Sequence, residues 1–374
     1  MSDNPFGEMF GDIFNMLGQQ SPNAWFDTAT QLALNIARGT DGDPNPEPVE
    51  RQRLEELAPL VARHVDALFS ISSNATVTAV NRSALTLAAL AQWRPLIEPN
   101  LHTANLVAPD DQTEGVAPMM AQLAAAVGPL FAGFQTGSVA GHFSERAWSL
   151  AVLALPRLNT ERLIVVNNLR AFADEWSLER DEVYVFAMAQ ELVASIVLSR
   201  EGTGDALRAL LLDSTHEAAA IQGDLMGRLQ SLMGEGDVNA LMADPERLLE
   251  GIELPEETDA TRAINAATAV LLAFFEAAAH DVTTAMLGPR PQLVEAYRRH
   301  RRSDARGEDA AAALFGIATH GPHHDLAQAF VEHLRDAHGL RALDALLRVD
   351  GMPSAAELTD PEAWLARVTN SPLA

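Results

Sequence analysis

The chain has 374 residues, 48% of them hydrophobic, enough to bury a sizeable core in one large domain or two modest ones. Its formal charge of -25 excludes the cationic footprint that nucleic-acid backbones and anionic membrane surfaces require, and fits solubility by self-repulsion. With no cysteine, disulfides and thiolate metal sites are excluded, and all 26 basic residues are arginine.

Residues 1–20, with Asn4-Pro5-Phe6-Gly7 and Met16-Leu17-Gly18, read as a flexible N-terminal segment, and residues 21–374 as a single mainly helical domain. No charged-then-apolar leader opens the chain and no uninterrupted apolar run reaches about 18 residues. The expectation is a cytoplasmic protein without a membrane partner.

Ser21-Pro22 offers an N-cap followed by proline at the first helical position, predicting a helix to about Arg38. Gly39 to Pro48 is a turn-rich linker. An amphipathic helix follows, with Leu54, Leu57, Val61, Val65 and Leu68 at helical spacing. Another is expected from Val77 to Trp93, continuing past Pro95. Residues 117–140 also read as helix, interrupted at Gly128-Pro129 and Gly137.

Two short apolar runs, Trp148–Leu155 and Arg162–Val166, flank Pro156 and a polar loop and predict a β-hairpin. Helices are then expected at 181–199, 203–233, 238–250, 260–287, 290–302, 308–318, 323–338 and 340–348. Ser354 to Glu357 fits a capping box, and Asp360-Pro361 opens a last helix through Trp364. No internal repeat is visible. The expected fold class is mainly α with one small β-hairpin.

The helix from Asp181 to Leu198 carries the feature that bears on function. A zinc helix of the H-E-x-x-H kind places two histidines at i and i+4 on one face, with a glutamate between them as general base. Here Gln190 and Ala194 stand at the histidine positions and Glu191 at the glutamate. The surrounding segments place this helix in context. They are Arg162 to Ala173 with Asn168-Leu169, Gln92-Trp93 through Glu98-Pro99, Phe275-Glu276, Arg298 to Arg302, and Gly351 to Pro361.

In that order the segments resemble the actinobacterial zincin-like metallopeptidase type 2 family, whose members are described as hydrolases or zinc-dependent metalloproteases. In the family a short strand ends in a Pro-Asn-Ile turn before the zinc helix; Asn168-Leu169 matches Asn-Ile, and Asn167 replaces the proline. The resemblance implies a zincin-like helical domain, with Gln190 and Ala194 at the two histidine ligand positions. It also implies a role near the metal for Glu276.

Alanine has no donor atom, and a neutral amide oxygen competes poorly with imidazole for zinc. Two of three ligands are thereby lost, out of a binding free energy of about 10–16 kcal/mol for structural zinc sites. Without the ion no water is activated near neutral pH, leaving Glu191 a vestigial base. The expectation is a catalytically inactive homologue, a pseudopeptidase, with no metal cofactor.

Each candidate also has a structural reading. Glu191 is either the base left in place or a structural acid bonded to an arginine or a backbone amide, with Gln190 available to satisfy it. Glu276 and His280, four residues apart, are either a two-point chelate or a Glu–His hydrogen bond. The alternative function is therefore a metal-dependent hydrolase with zinc rearranged around Glu191, Glu276 and His280. His216-Glu217 lacks the second histidine of a zinc motif, and His320 to Asp325 reads as a helix start that holds metals only adventitiously. No histidine and aspartate at triad-like sequence positions are identified for Ser195, which disfavours a serine hydrolase. Arg298 to Arg302 pairs with the protein's own carboxylates or docks a partner. The expected partners are a protein or peptide, held against the hairpin edge, or a second copy or an active relative.

Overall fold

The computed structural model describes residues 23–40, 42–69, 76–103, 132–200, 202–214, 257–302, 306–348 and 350–370. Residues 1–20, the helix expected at 238–250 and His216-Glu217 lie outside them. In chain order the elements are α1 (Ala24–Arg38), α2 (Pro48–Phe69), β1 (Thr78–Val80), α3 (Arg82–Thr103) and α4 (132–146). Then come β2 (Leu163–Val165), α5 (Val166–Trp176), α6 (Arg180–Leu198), α7 (202–214) and α8 (Asp259–Leu287). The last are α9 (Pro291–Arg302), α10 (Arg306–Ala313), α11 (Pro322–His338) and α12 (Pro361–Asn370). The protein is mainly α, with one small two-stranded sheet, as the sequence predicts.

The β pairing differs from the expected hairpin. β2 pairs in parallel with β1, with Thr78 opposite Leu163, Ala79 opposite Ile164 and Val80 opposite Val165. The run from Trp148 to Leu155 holds instead a 3-10 turn, Leu150–Val152, where the Ser149 hydroxyl accepts the Ala151 N–H at 3.1 Å. Every residue of that run is buried, so its apolar character reflects the core and carries no strand period. The strand partner lies in Val77 to Val80, which the sequence assigns to a helix start. That helix begins five residues later than expected, because Asn81 Oδ1 accepts the Ala84 N–H and Asp43 accepts those of Arg82 and Ser83. Among the described residues there is accordingly no hairpin edge for a peptide to join.

The described residues group into two compact units. The first takes those of Met1–Val152, Leu158–Ser195 and Ala279–Leu314; the second takes those of Leu153–Arg157, Ile196–Ala278 and Phe315–Ala374. In the first, α1 lies close against α4. A Cβ on Gly137 would fall 2.5 Å from the Ala29 carbonyl oxygen, so only glycine permits this approach. Gly133 and Gly141, one turn to either side, meet the Trp25 carbonyl and the Ile36 side chain in the same way.

α6 is buried on every side from Glu182 to Leu198, the pattern of a core helix with no solvent face. α8 is long and apolar enough to cross a membrane, and 89% of its most apolar stretch is buried inside the protein. In the second unit, α11 and α12 pack through Phe330 and Trp364, whose rings meet edge to face at 5.2 Å. The Trp364 indole donates to the Gly351 carbonyl at 2.8 Å.

Candidate functional site

α6 is fixed at its first turn. Glu182 Oε1 accepts the Glu179 N–H at 3.2 Å, satisfying one of the helix's unpaired donors, and Glu182 Oε2 pairs with Arg290 Nε at 2.8 Å. Asp181 is held by Arg53 of α2. The Arg53 hydrogen bond keeps the Asp181 carboxyl below its ordinary range, against a smaller opposing effect of burial.

Two turns on, Gln190 is 1% exposed, and Glu191, Ala194 and Ser195 are fully buried. The Gln190 amide nitrogen donates to the Tyr297 hydroxyl of α9. Tyr297 sits among aromatics, its ring centroid 5.0 Å from Phe186 and 5.2 Å from Trp148. Trp148 in turn meets Phe172 edge to face at 4.7 Å and stacks on His300 at 5.8 Å. His300 Nδ1 lies 2.9 Å from Arg146 Nη2, so a neutral imidazole accepts from the guanidinium. Burial first, then the charges of Arg146 and Arg301, push the His300 pKa down to about 4.

The strand end that precedes α6 in the sequence is anchored by Asn168, which is 4% exposed. Its amide donates to the Ser144 carbonyl at 3.0 Å and the Ala147 carbonyl at 2.7 Å, while its Oδ1 accepts Arg82 Nε at 2.8 Å. Asn168 thus joins the start of α5 to the C-terminal end of α4 and to α3. Asn167, at the position of the family's proline, donates instead to the Pro44 carbonyl at 3.0 Å.

Of the residues singled out from sequence, Gln190, Glu191 and Ala194 share one stretch of α6 in the first unit. His280 belongs to the first unit and Glu276 to the second, one turn apart on α8. Among the described residues, no three His, Asp or Glu side chains are grouped as a metal ion needs. The donor set on α6 does not fit zinc, since Ala194 supplies no atom and Gln190 offers only a neutral amide oxygen, its nitrogen donating to Tyr297. Tyr297, Trp148 and His300 were not legible as neighbours of this helix. Tyr297 lies 107 residues from Gln190, and its only sequence signal is that the chain has 2 tyrosines.

The profile of the family described as zincin-like metallopeptidase matches residues 25–365. The fold is similar to that of a crystal structure from Chloroflexus aurantiacus described as a "putative hydrolase with a novel fold", with a TM-score of 0.56 and 14% identity. The match covers 92% of this chain and 98% of that one, a likeness of fold alone. No curated protein matches the sequence. The match over most of its length, together with the helical fold, makes this chain a member of the zincin-like metallopeptidase family.

Proposed function

We propose that this member of the family is a pseudopeptidase, a cytoplasmic protein that acts by binding a protein or peptide partner and not by hydrolysis. The observation that carries the reading is the chemistry at the two ligand positions of α6. One is a methyl group, and the other is an amide whose nitrogen is already bonded to Tyr297. Glu191 between them is fully buried, so its carboxylate does not meet bulk water, which a general base for hydrolysis needs. The acidity of the chain leaves proteins and peptides, not nucleic acids, as the partners its surface suits.

The test is metal analysis and peptide cleavage by the full-length protein purified without an affinity tag. The expected result is less than one zinc per ten chains and no cleavage that Glu191→Gln abolishes. One zinc per chain, lost in Glu276→Ala or His280→Ala together with peptide cleavage, would overturn the reading in favour of a hydrolase with a rearranged site.

A further inference from the structure

We propose that Gln190 and Tyr297 form a latch that fastens α6 to α9, giving this chain by direct contact the cross-helix tether that a ligand position on a zinc helix gives through an ion. The inference rests on the reading above that α6 holds no metal.

Three observations support it. Both partners are sealed from water, Gln190 and Tyr297 each being 1% exposed, so neither can exchange the bond for solvent. The Tyr297 ring packs against both Trp148 and Phe186, which restricts where its hydroxyl stands. And the bond is accompanied by another tie between the same segments. Glu182 pairs with Arg290 at 2.8 Å at the start of α6, and Gln190 bonds Tyr297 further along both segments.

The spacing of the two ties matches. Eight residues separate the anchor points on α6, about 12 Å of helix, and seven separate Arg290, just before α9, from Tyr297 on it. The two segments therefore run in the same direction and are tied at these two points. Glutamine suits the inner position because it is polar enough to reach a hydroxyl and carries no charge to desolvate. A histidine there without an ion would bring a titrating group into the core.

The test is a double-mutant cycle on the full chain with Gln190→Leu, Tyr297→Phe and the pair, followed by thermal melting with and without a chelator. Each single substitution is expected to lower Tm by about 2–10 °C, and the pair by clearly less than the sum. The chelator is expected to leave the wild-type Tm unchanged. Additive single effects, with no effect of chelator, would overturn the latch and leave the pseudopeptidase reading standing. A wild-type Tm that falls when bound zinc is removed would overturn both.

Because Gln190→Leu can fail to fold, hydrogen exchange of Tyr297→Phe, which removes a single oxygen, gives an independent measure. Loss of protection in residues 186–194 and 291–302 together supports the latch. Loss confined to 291–302 overturns it.

Discussion

Glu182 and Arg290 form an ion pair at 2.8 Å that joins the first turn of α6 to the residue preceding α9. The same carboxylate accepts the Glu179 N–H, so one side chain both caps its helix and ties it to a second. The two partners differ in exposure, the glutamate side chain being 10% exposed and the arginine 39%. Arg290→Ala leaves a nearly buried carboxylate without its cation, while Glu182→Gln keeps the cap acceptor and removes the charge. We expect Arg290→Ala to cost about 1–3 kcal/mol, discounted for the exposure of the arginine, and Glu182→Gln to cost less. Urea denaturation of both variants checks the order.

Gly137→Ala should destabilise the first unit through overpacking. The added methyl would stand 2.5 Å from the Ala29 carbonyl oxygen and 2.9 Å from its Cα, and backbone cannot swing aside as a long side chain can. The expected cost is about 1–3 kcal/mol, against the usual gain from replacing a helical glycine with alanine. A rise in the urea midpoint would show that α1 and α4 are not in this contact.

Asn168→Asp should be more damaging than Asn168→Ala, although it is the smaller change in shape. The asparagine amide donates to two carbonyls, of Ser144 and Ala147, and a carboxylate would face both oxygens without a proton to offer. We expect about 2–4 kcal/mol for Asn168→Ala and a larger loss for Asn168→Asp at neutral pH, easing on acidification. Circular dichroism melts at pH 5 and pH 7.5 distinguish the two variants.

His300 should make the protein less stable in mild acid. Its pKa falls from an ordinary 6.5 to about 4 in the folded chain, so between those values the unfolded state binds the extra proton. Stability from this group is complete above about pH 6.5, declines as pH falls toward 4, and is constant below. The total is on the order of 3 kcal/mol for a residue that is 9% exposed. His300→Gln offers Arg146 an acceptor that does not titrate, and should flatten this part of the pH–stability profile. A profile of unchanged slope between pH 6.5 and 4 would assign the dependence to other groups.

The helices were legible where one local rule decides them. The Leu54, Leu57, Val61 and Val65 stripe lies buried along α2, and Pro361 opens α12 as its Asp360-Pro361 pair predicts. The small β element was legible as a strand at Leu163–Val165 but not in its pairing. Parallel strands need a long crossover, and Thr78–Val80 sits across such a connection, where no turn signal links the two. The buried run at Trp148 misled because continuous apolar burial looks alike in a strand, a 3-10 turn and a loop.

By itself the sequence determined which atoms are offered along α6: an amide at Gln190, a carboxylate at Glu191 and a methyl at Ala194. Ligand chemistry follows from those identities alone, since no fold can give alanine a donor. The tertiary structure decided what Gln190 does instead. Only the packing of a helix more than a hundred residues away brings the Tyr297 hydroxyl to it, with the rings of Trp148 and Phe186 packed against the Tyr297 ring. Such contacts are set by the summed burial of many residues, which no local spacing encodes.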